Sequence, residues 1–278
     1  MSRLPTQPTH RAAARKPIRQ CGSAVLYRLV RMSATSICSN ALSEIVNRLH
    51  PSDALHFARE LPDQSIDRIL TDPPYSSGGL HASTRAQLPM QKYIHDGTKA
   101  VYEDFECDNM DRRAWAFWCH AWLTESRRAL KPGGLLVCFI DWRQLPTLTD
   151  VVQAAGFIHR GIAVWAKTPS RARPRRGGFK QQAEFIVWAS NGPLRQRDVY
   201  LPGVFPCALG LPKRHLTEKP VELARQIVRL VPHGGTVCDL FAGSGTFLVA
   251  VKEAGLNWIG CETNARYRDV AMRRLSQA

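Results

Sequence analysis

Apolar and polar positions along this chain fall into two alternating patterns. Short apolar runs that stop abruptly at an acid, a proline or a glycine predict buried strands, at Ile66–Thr71, Leu135–Ile140, Gly161–Trp165, Glu184–Ala189, Thr236–Leu240 and Asn257–Cys261. Between them, apolar residues recur at helical spacing. Trp115, Trp118, Cys119, Trp122 and Leu123 form one such stripe, with Asp111 as its cap and Lys131-Pro132-Gly133-Gly134 as its end. A second helix runs up to Ala155 and breaks at Gly156. A third carries Val221, Leu223, Ala224, Ile227, Val228 and Leu230, with Pro220 in its first turn, and a fourth spans Phe247–Ala254. Ser39–Arg48 fits a strand or a helix equally, Ser76–Met110 is polar and weakly periodic, and Ser190–Arg214 reads as irregular. Strands alternating with helices predict an α/β domain.

Two strand ends carry the chemistry. The first strand stops at Asp72-Pro73-Pro74-Tyr75. Proline has no N–H and cannot extend a sheet ladder, so these four residues should form a rigid loop at a carboxyl edge, where open α/β sheets bind ligands. The loop offers a carboxylate, fixed main-chain carbonyls and an aromatic face, groups that hold a flat molecule by its amino group. The competing reading is an ordinary proline turn.

The second is Thr236–Leu240 followed by Phe241-Ala242-Gly243-Ser244-Gly245-Thr246 and a helix. A glycine turn from strand to helix lets main chain approach a ligand closely. A dinucleotide fingerprint needs a third glycine where Leu248 stands, which argues against a pyrophosphate. Glu262 ends the next strand, where an acid typically bonds ribose hydroxyls; alternatively it caps the helix beginning near Asn264. Asp53 either caps a short helix or points at a ligand from the end of a neighbouring strand. A nucleoside without pyrophosphate fits, and S-adenosylmethionine meets that description.

Charge narrows the partner. The chain has 278 residues and a formal net charge of +15, which predicts an acidic partner, with nucleic acid ahead of an anionic membrane surface. No apolar run approaches the roughly 20 residues needed to span a bilayer. A basic stretch without acids holds Lys167, Arg171, Arg173, Arg175, Arg176 and Lys180, with Arg195 and Arg197 beyond it. Its prolines and glycines exclude a regular helix, so it reads either as a phosphate-contacting loop or as a solvated face. Residues 1–38 read as a basic tail without a specific role; a phosphate-binding arm, a transit peptide, and upstream sequence before a start at Met32 are its other readings. Eight scattered cysteines show no metal spacing and fit a reducing cytoplasm; no metal site is expected.

Asp72-Pro73-Pro74-Tyr75 followed far downstream by Phe241–Thr246 resembles the DNA amino-methyltransferases, which modify adenine N6 or cytosine N4. The order, acid loop before glycine loop, resembles their circularly permuted beta class. Asp53-Ala54, Lys131–Gly134, Trp165-Ala166-Lys167, Glu184 and Thr217–Pro220 fall in matching order. The resemblance implies a Rossmann-like fold with a seven-stranded mixed sheet and helices on both faces. It implies a methyltransferase domain over 39–278, an insertion at about 76–110 acting as a lid or a bare surface loop, and a DNA-recognition region at about 168–214. It puts Asp72, Pro73, Pro74 and Tyr75 on the target base. It puts Glu262 on the cofactor ribose, Asp53 near its adenine, Asp239, Phe241, Gly243 and Gly245 at its methionine end with Ser244, Thr246 and Asn264 nearby, and Thr217 and Lys219 near its carboxylate. The acid at 72 favours adenine N6 in double-stranded DNA. Alternatives are cytosine N4, an RNA substrate, or a DNA-binding module without turnover. A homodimer through the tryptophan helix and a cognate restriction endonuclease are further expected partners.

Overall fold

The computed structural model describes residues 42–76, 110–168, 177–195, 198–208 and 218–278. The basic tail, nearly all of the 76–110 insertion, and Arg171, Arg173, Arg175, Arg176, Arg197 and Thr217 lie outside the described residues. The strands are β1 (Arg48–His50), β2 (Ile66–Thr71), β3 (Leu130–Ile140), β4 (Ile158–Ala166), β5 (Ala183–Ser190), β6 (Val204–Pro206), β7 (Thr236–Asp239) and β8 (Asn257–Cys261). The helices are α1 (Ala54–Glu60), α2 (Arg112–Ala129), α3 (Leu145–Ala154), α4 (Val221–Val228), α5 (Thr246–Glu253) and α6 (Ala265–Gln277). The ambiguous segment before β1 contains a helical turn at 42–45.

All eight strands form one mixed sheet in the order β1-β8-β7-β2-β3-β5-β4-β6. Seven strands were expected. Of the eight, β1 and β6 are not among the six read from the sequence pattern; β6 lies inside the segment read as irregular. It is three residues long and follows Pro202-Gly203, too short to show a period. It holds its place by pairing parallel to β4 and by burying Phe205. A second correction concerns Lys131–Gly134, expected only to end α2. These residues lie within β3 as a bulge: the register to β2 jumps from Ile66↔Leu130 to Arg68↔Leu135. Pro220 is the N-cap of α4 rather than a first-turn residue.

Period-2 alternation divides the core. Ile69 of β2 and Leu136, Cys138 and Ile140 of β3 face α1, α2 and α3, and Ile66, before the register shift in β2, joins the same cluster. Leu70, Val137 and Phe139 face α4, α5 and α6. Helices therefore cover both faces, as expected. β2 and β7 are parallel neighbours in the sheet, with Ile69 opposite Cys238. The helix described next after β2, α2, packs on one face; α5, after β7, packs on the other. Neighbouring strands whose connections diverge leave a crevice at their carboxyl ends, the position at which such sheets take ligands. The acid loop and the glycine loop stand on its two sides.

Candidate active site at the crevice between β2 and β7

The two loops are tied to each other and to one helix. Thr71, the last residue of β2, donates its hydroxyl to Oδ1 of Asp239, the last residue of β7, at 2.8 Å. Trp115 of α2 donates its indole N–H to the Pro74 carbonyl at 2.8 Å. From the same helix, Trp118 and Trp122 pack on Phe241 of the glycine loop, each with ring centroids 5.4 Å away. Trp115 and Trp122 are fully buried, in keeping with a core stripe, and that stripe also fixes both loops against one support.

Asp72 sits in a buried chain of alternating charge. Tyr75 donates its hydroxyl to Asp72 Oδ1 at 2.5 Å, and the Lys219 ammonium bonds Asp72 Oδ2. Lys219 Nζ also lies 3.4 Å from Glu184 Oε2, while Glu184 Oε1 accepts from Lys167 at 2.5 Å. Burial raises the Asp72 pKa; Lys219 offsets part of that and Glu184 adds to it. Burial would raise Glu184 as well, but Lys219 and Lys167 outweigh it and hold that carboxyl below its ordinary range. Lys219 was expected beside the cofactor's carboxylate and Lys167 among the phosphate contacts. Here both are committed to interior acids, which the sequence, showing charges without their partners, did not reveal.

The glycine loop is held from three sides. Gly243 donates its N–H to Glu262 Oε2 at 2.8 Å, and Glu262 Oε1 accepts the Asn264 N–H at 2.9 Å. Asn264 caps α6 by accepting from Tyr267 N. The buried Arg274 guanidinium bonds the Ser244 carbonyl at 2.7 Å, the Ser244 and Thr246 hydroxyls, and Glu218 at 3.1 Å. The Ser244 and Thr246 side chains thus face Arg274, a residue that sequence reasoning missed because an arginine near the end of a polar helix carries no local signal. Gly245 has φ +79°, and a Cβ there would stand 2.8 Å from Ala271 Cβ, so close packing of α6 requires this glycine. Asp53 Oδ1 caps α1, accepting from Leu55 N and His56 N.

Asp239 differs from its neighbours. Its Oδ1 accepts from Thr71 and from Phe241 N, but its buried Oδ2 has no hydrogen-bond partner among the described residues. Burial pushes its pKa up to about 7. A buried unpaired carboxylate oxygen is costly unless a ligand completes it. A cationic amino group, which S-adenosylmethionine carries on its methionine end, fits that requirement.

The DNA methylase family model, of N6/N4 type, matches residues 66–202 and 195–273. The chain belongs to the DNA methylase family. It is 26% identical over 255 residues to the Type II methyltransferase M.HpaI of Haemophilus parainfluenzae, covering 82% of this chain and 74% of that protein. Among solved structures, the M1.HpyAVI complex with SAM superposes with a TM-score of 0.60 at 22% identity, covering 82% of this chain and 98% of that one. The cytosine-N4-specific PvuII DNA methyltransferase gives 0.63 at 17%, covering 82% and 85%. These two likenesses bear on the fold.

In this methylase the carboxyl edge that carries Asp72 also carries the two described ends of the basic segment, 167–168 and 177–180. β4 and β5 are antiparallel, with Ala166 opposite Ala183, and Ile140 of β3 lies opposite Phe185. The end of β4 and the start of β5 therefore lie at the same edge of the sheet as Asp72. Lys180 is exposed there, as are Phe179 and half of Trp142, whose indole N–H bonds Gln181 at 3.0 Å. Arg195 is elsewhere. Its side chain lies against Gly133, at the amino end of β3, on the sheet edge opposite Asp72. Sequence proximity grouped it with the basic loop, but β5 carries the chain across the sheet in between. No described helix is long and apolar enough to cross a membrane.

The Pro74 anchor is testable. Trp115→Phe deletes one hydrogen bond and leaves a cavity where the larger indole stood, so it should cost about 2–3 kcal/mol of stability. It should also slow turnover by roughly tenfold through a looser acid loop. Thermal unfolding and kcat at saturating substrates check both.

Proposed function

We propose that the methylase transfers the methyl group of S-adenosylmethionine to N6 of adenine in double-stranded DNA. The observation that carries this reading is the acid loop at the crevice, with the Asp72 carboxylate on one side and the unpaired oxygen of Asp239 across from it. The exocyclic amine of adenine is a poor nucleophile because its lone pair is delocalised into the ring. Asp72 and the Pro73 carbonyl accept its N–H bonds, the nitrogen pyramidalises, and its lone pair is aimed at the methyl carbon. When bound, S-adenosylmethionine would supply that carbon from a sulfonium: the S–CH3 bond breaks as the N–CH3 bond forms, the sulfur leaves as a neutral thioether, and the nitrogen sheds its extra proton to Asp72. Much of the rate then comes from positioning and from acceptors fixed where positive charge develops on nitrogen.

On the cofactor side, Asp239 Oδ2 takes the methionine ammonium and Phe241, Gly243 and Gly245 line that end. Glu262 takes the ribose hydroxyls with lone pairs left over from Gly243 and Asn264. Asp53 takes the adenine amino group through Oδ2, with Oδ1 on α1. The target atom is out of reach inside a stacked duplex, so the base is flipped out and stacks on Tyr75. The β4–β5 connection, with Lys180 and residues 171–176, meets the phosphates. The acid at position 72 supports adenine over cytosine, by the resemblance already described.

Expression in a bacterial host without DNA methylation of its own, followed by single-molecule sequencing, tests the reading. Modified adenines within one short sequence are expected. Modified cytosines would overturn the base assignment, and an unmodified genome with soluble protein present would overturn the activity.

A further inference from the structure

We propose that Glu184 is a positioning residue that draws Lys219 off Asp72 when the target base arrives, freeing Asp72 to hold the base amine. This rests on the methyl-transfer reading above. Both oxygens of Asp72 are engaged, Oδ1 by the Tyr75 hydroxyl and Oδ2 by the Lys219 ammonium. The ammonium presents the same kind of N–H donor that an exocyclic amine presents, so it occupies an acceptor the substrate needs. Were it to stay, a second positive charge would develop on the amine beside it, and one carboxylate would face two cations in a water-poor site.

Among the described residues, Glu184 offers Lys219 a second place. The lysine side chain is only 4% exposed, so the charge has no route to water. The Tyr75 and Phe139 rings flank it, with centroids 5.3 and 5.5 Å from Nζ. Beside it stands the buried Glu184 Oε2, 3.4 Å away, paired with Lys219 at a distance too long for a full hydrogen bond and with no other partner among the described residues. A movement of under about 1 Å would turn that separation into a full charge-assisted hydrogen bond. Lys167 fixes the other oxygen of Glu184, so this acceptor is held in place while Lys219 moves. The opposed lysines keep Glu184 ionised across the neutral range. The network thus holds a cation that caps Asp72 in the free enzyme and a pre-set acceptor to receive it.

The test compares wild type, Glu184→Gln and the double variant Glu184→Gln/Lys219→Met, using labelled S-adenosylmethionine and DNA carrying the target site. Glu184→Gln should lower kcat by about tenfold, with cofactor and DNA affinities within about twofold of wild type. The double variant, with no cation left to displace, should recover at least about threefold of that loss. A second readout needs no turnover. In protein with 15N-labelled lysine and no cofactor, adding target DNA should move the Lys219 ammonium resonance in wild type but not in Glu184→Gln. Wild-type kcat in Glu184→Gln, a double variant no faster than the single one, or an unmoved resonance in wild type overturns the proposal. No methyl transfer to adenine by wild type defeats the underlying activity instead, and the calorimetric cofactor affinity then shows whether the cofactor site survives.

Discussion

Asp72→Asn should leave the methylase folded and able to bind cofactor and DNA, yet slow methyl transfer by about a thousandfold. The amide is isosteric with the carboxylate. Its carbonyl can still accept from Tyr75, and Lys219 keeps Glu184 as a partner, so the packing around Trp115 and Pro74 persists. What disappears is the negative charge beside the nitrogen that becomes cationic in the transition state. Because that charge matters only as the reaction proceeds, the loss should appear in kcat and hardly in KM. The wild type should also show an acid limb. Burial raises the Asp72 pKa, Lys219 lowers it in part, and the protonated acid accepts nothing from the amine, so kcat should fall as pH drops through the raised value. Removing Lys219 alone removes the cation that restrains this shift and should move the limb to higher pH. Single-turnover rates across pH, with affinities measured in parallel, check both.

Asp239→Ala should weaken cofactor binding by roughly 10- to 100-fold, the worth of a buried charged hydrogen bond, with little change in DNA affinity. Both of its oxygens are buried, and among the described residues only Oδ1 is satisfied. The pH dependence gives a second signature. With a pKa near 7 in the free protein, Asp239 is partly protonated at neutral pH, and a cationic ligand selects the ionised form. Cofactor affinity should therefore hold above about pH 7 and weaken as pH falls below it; Asp239→Ala should flatten that dependence. Isothermal titration across pH, in buffers of different ionisation enthalpy, measures the affinity and the proton released on binding.

The sequence carried the two loops because each is local chemistry. Ile66–Thr71 must end where Pro73 and Pro74 begin, and Gly243 and Gly245 mark a strand-to-helix turn that few other residues tolerate. Neighbouring motifs in the sheet need not be neighbours in the chain, however, and the contact of β2 with β7 across about 170 residues was legible only through resemblance to a family. What stayed hidden depends on long-range pairing. Lys167 and Lys219 read as surface or ligand-facing charges because a sequence lists cations without their anions. Arg274 has no local signal in the sequence, though it holds Ser244, Thr246 and Glu218. Arg195 sits close to the basic loop in the chain yet at the other edge of the sheet. Strand β6 is too short for its pattern to compete with the proline and glycine around it.

One measurement tests the central claim most directly. The wild type and Asp72→Asn are incubated side by side with unmethylated DNA and isotopically labelled S-adenosylmethionine, and the digested nucleosides are identified by mass spectrometry. The account predicts labelled N6-methyladenine from the wild type and almost none from Asp72→Asn at equal occupancy of both ligands. Label in N4-methylcytosine, or equal labelling by the two proteins, would contradict it.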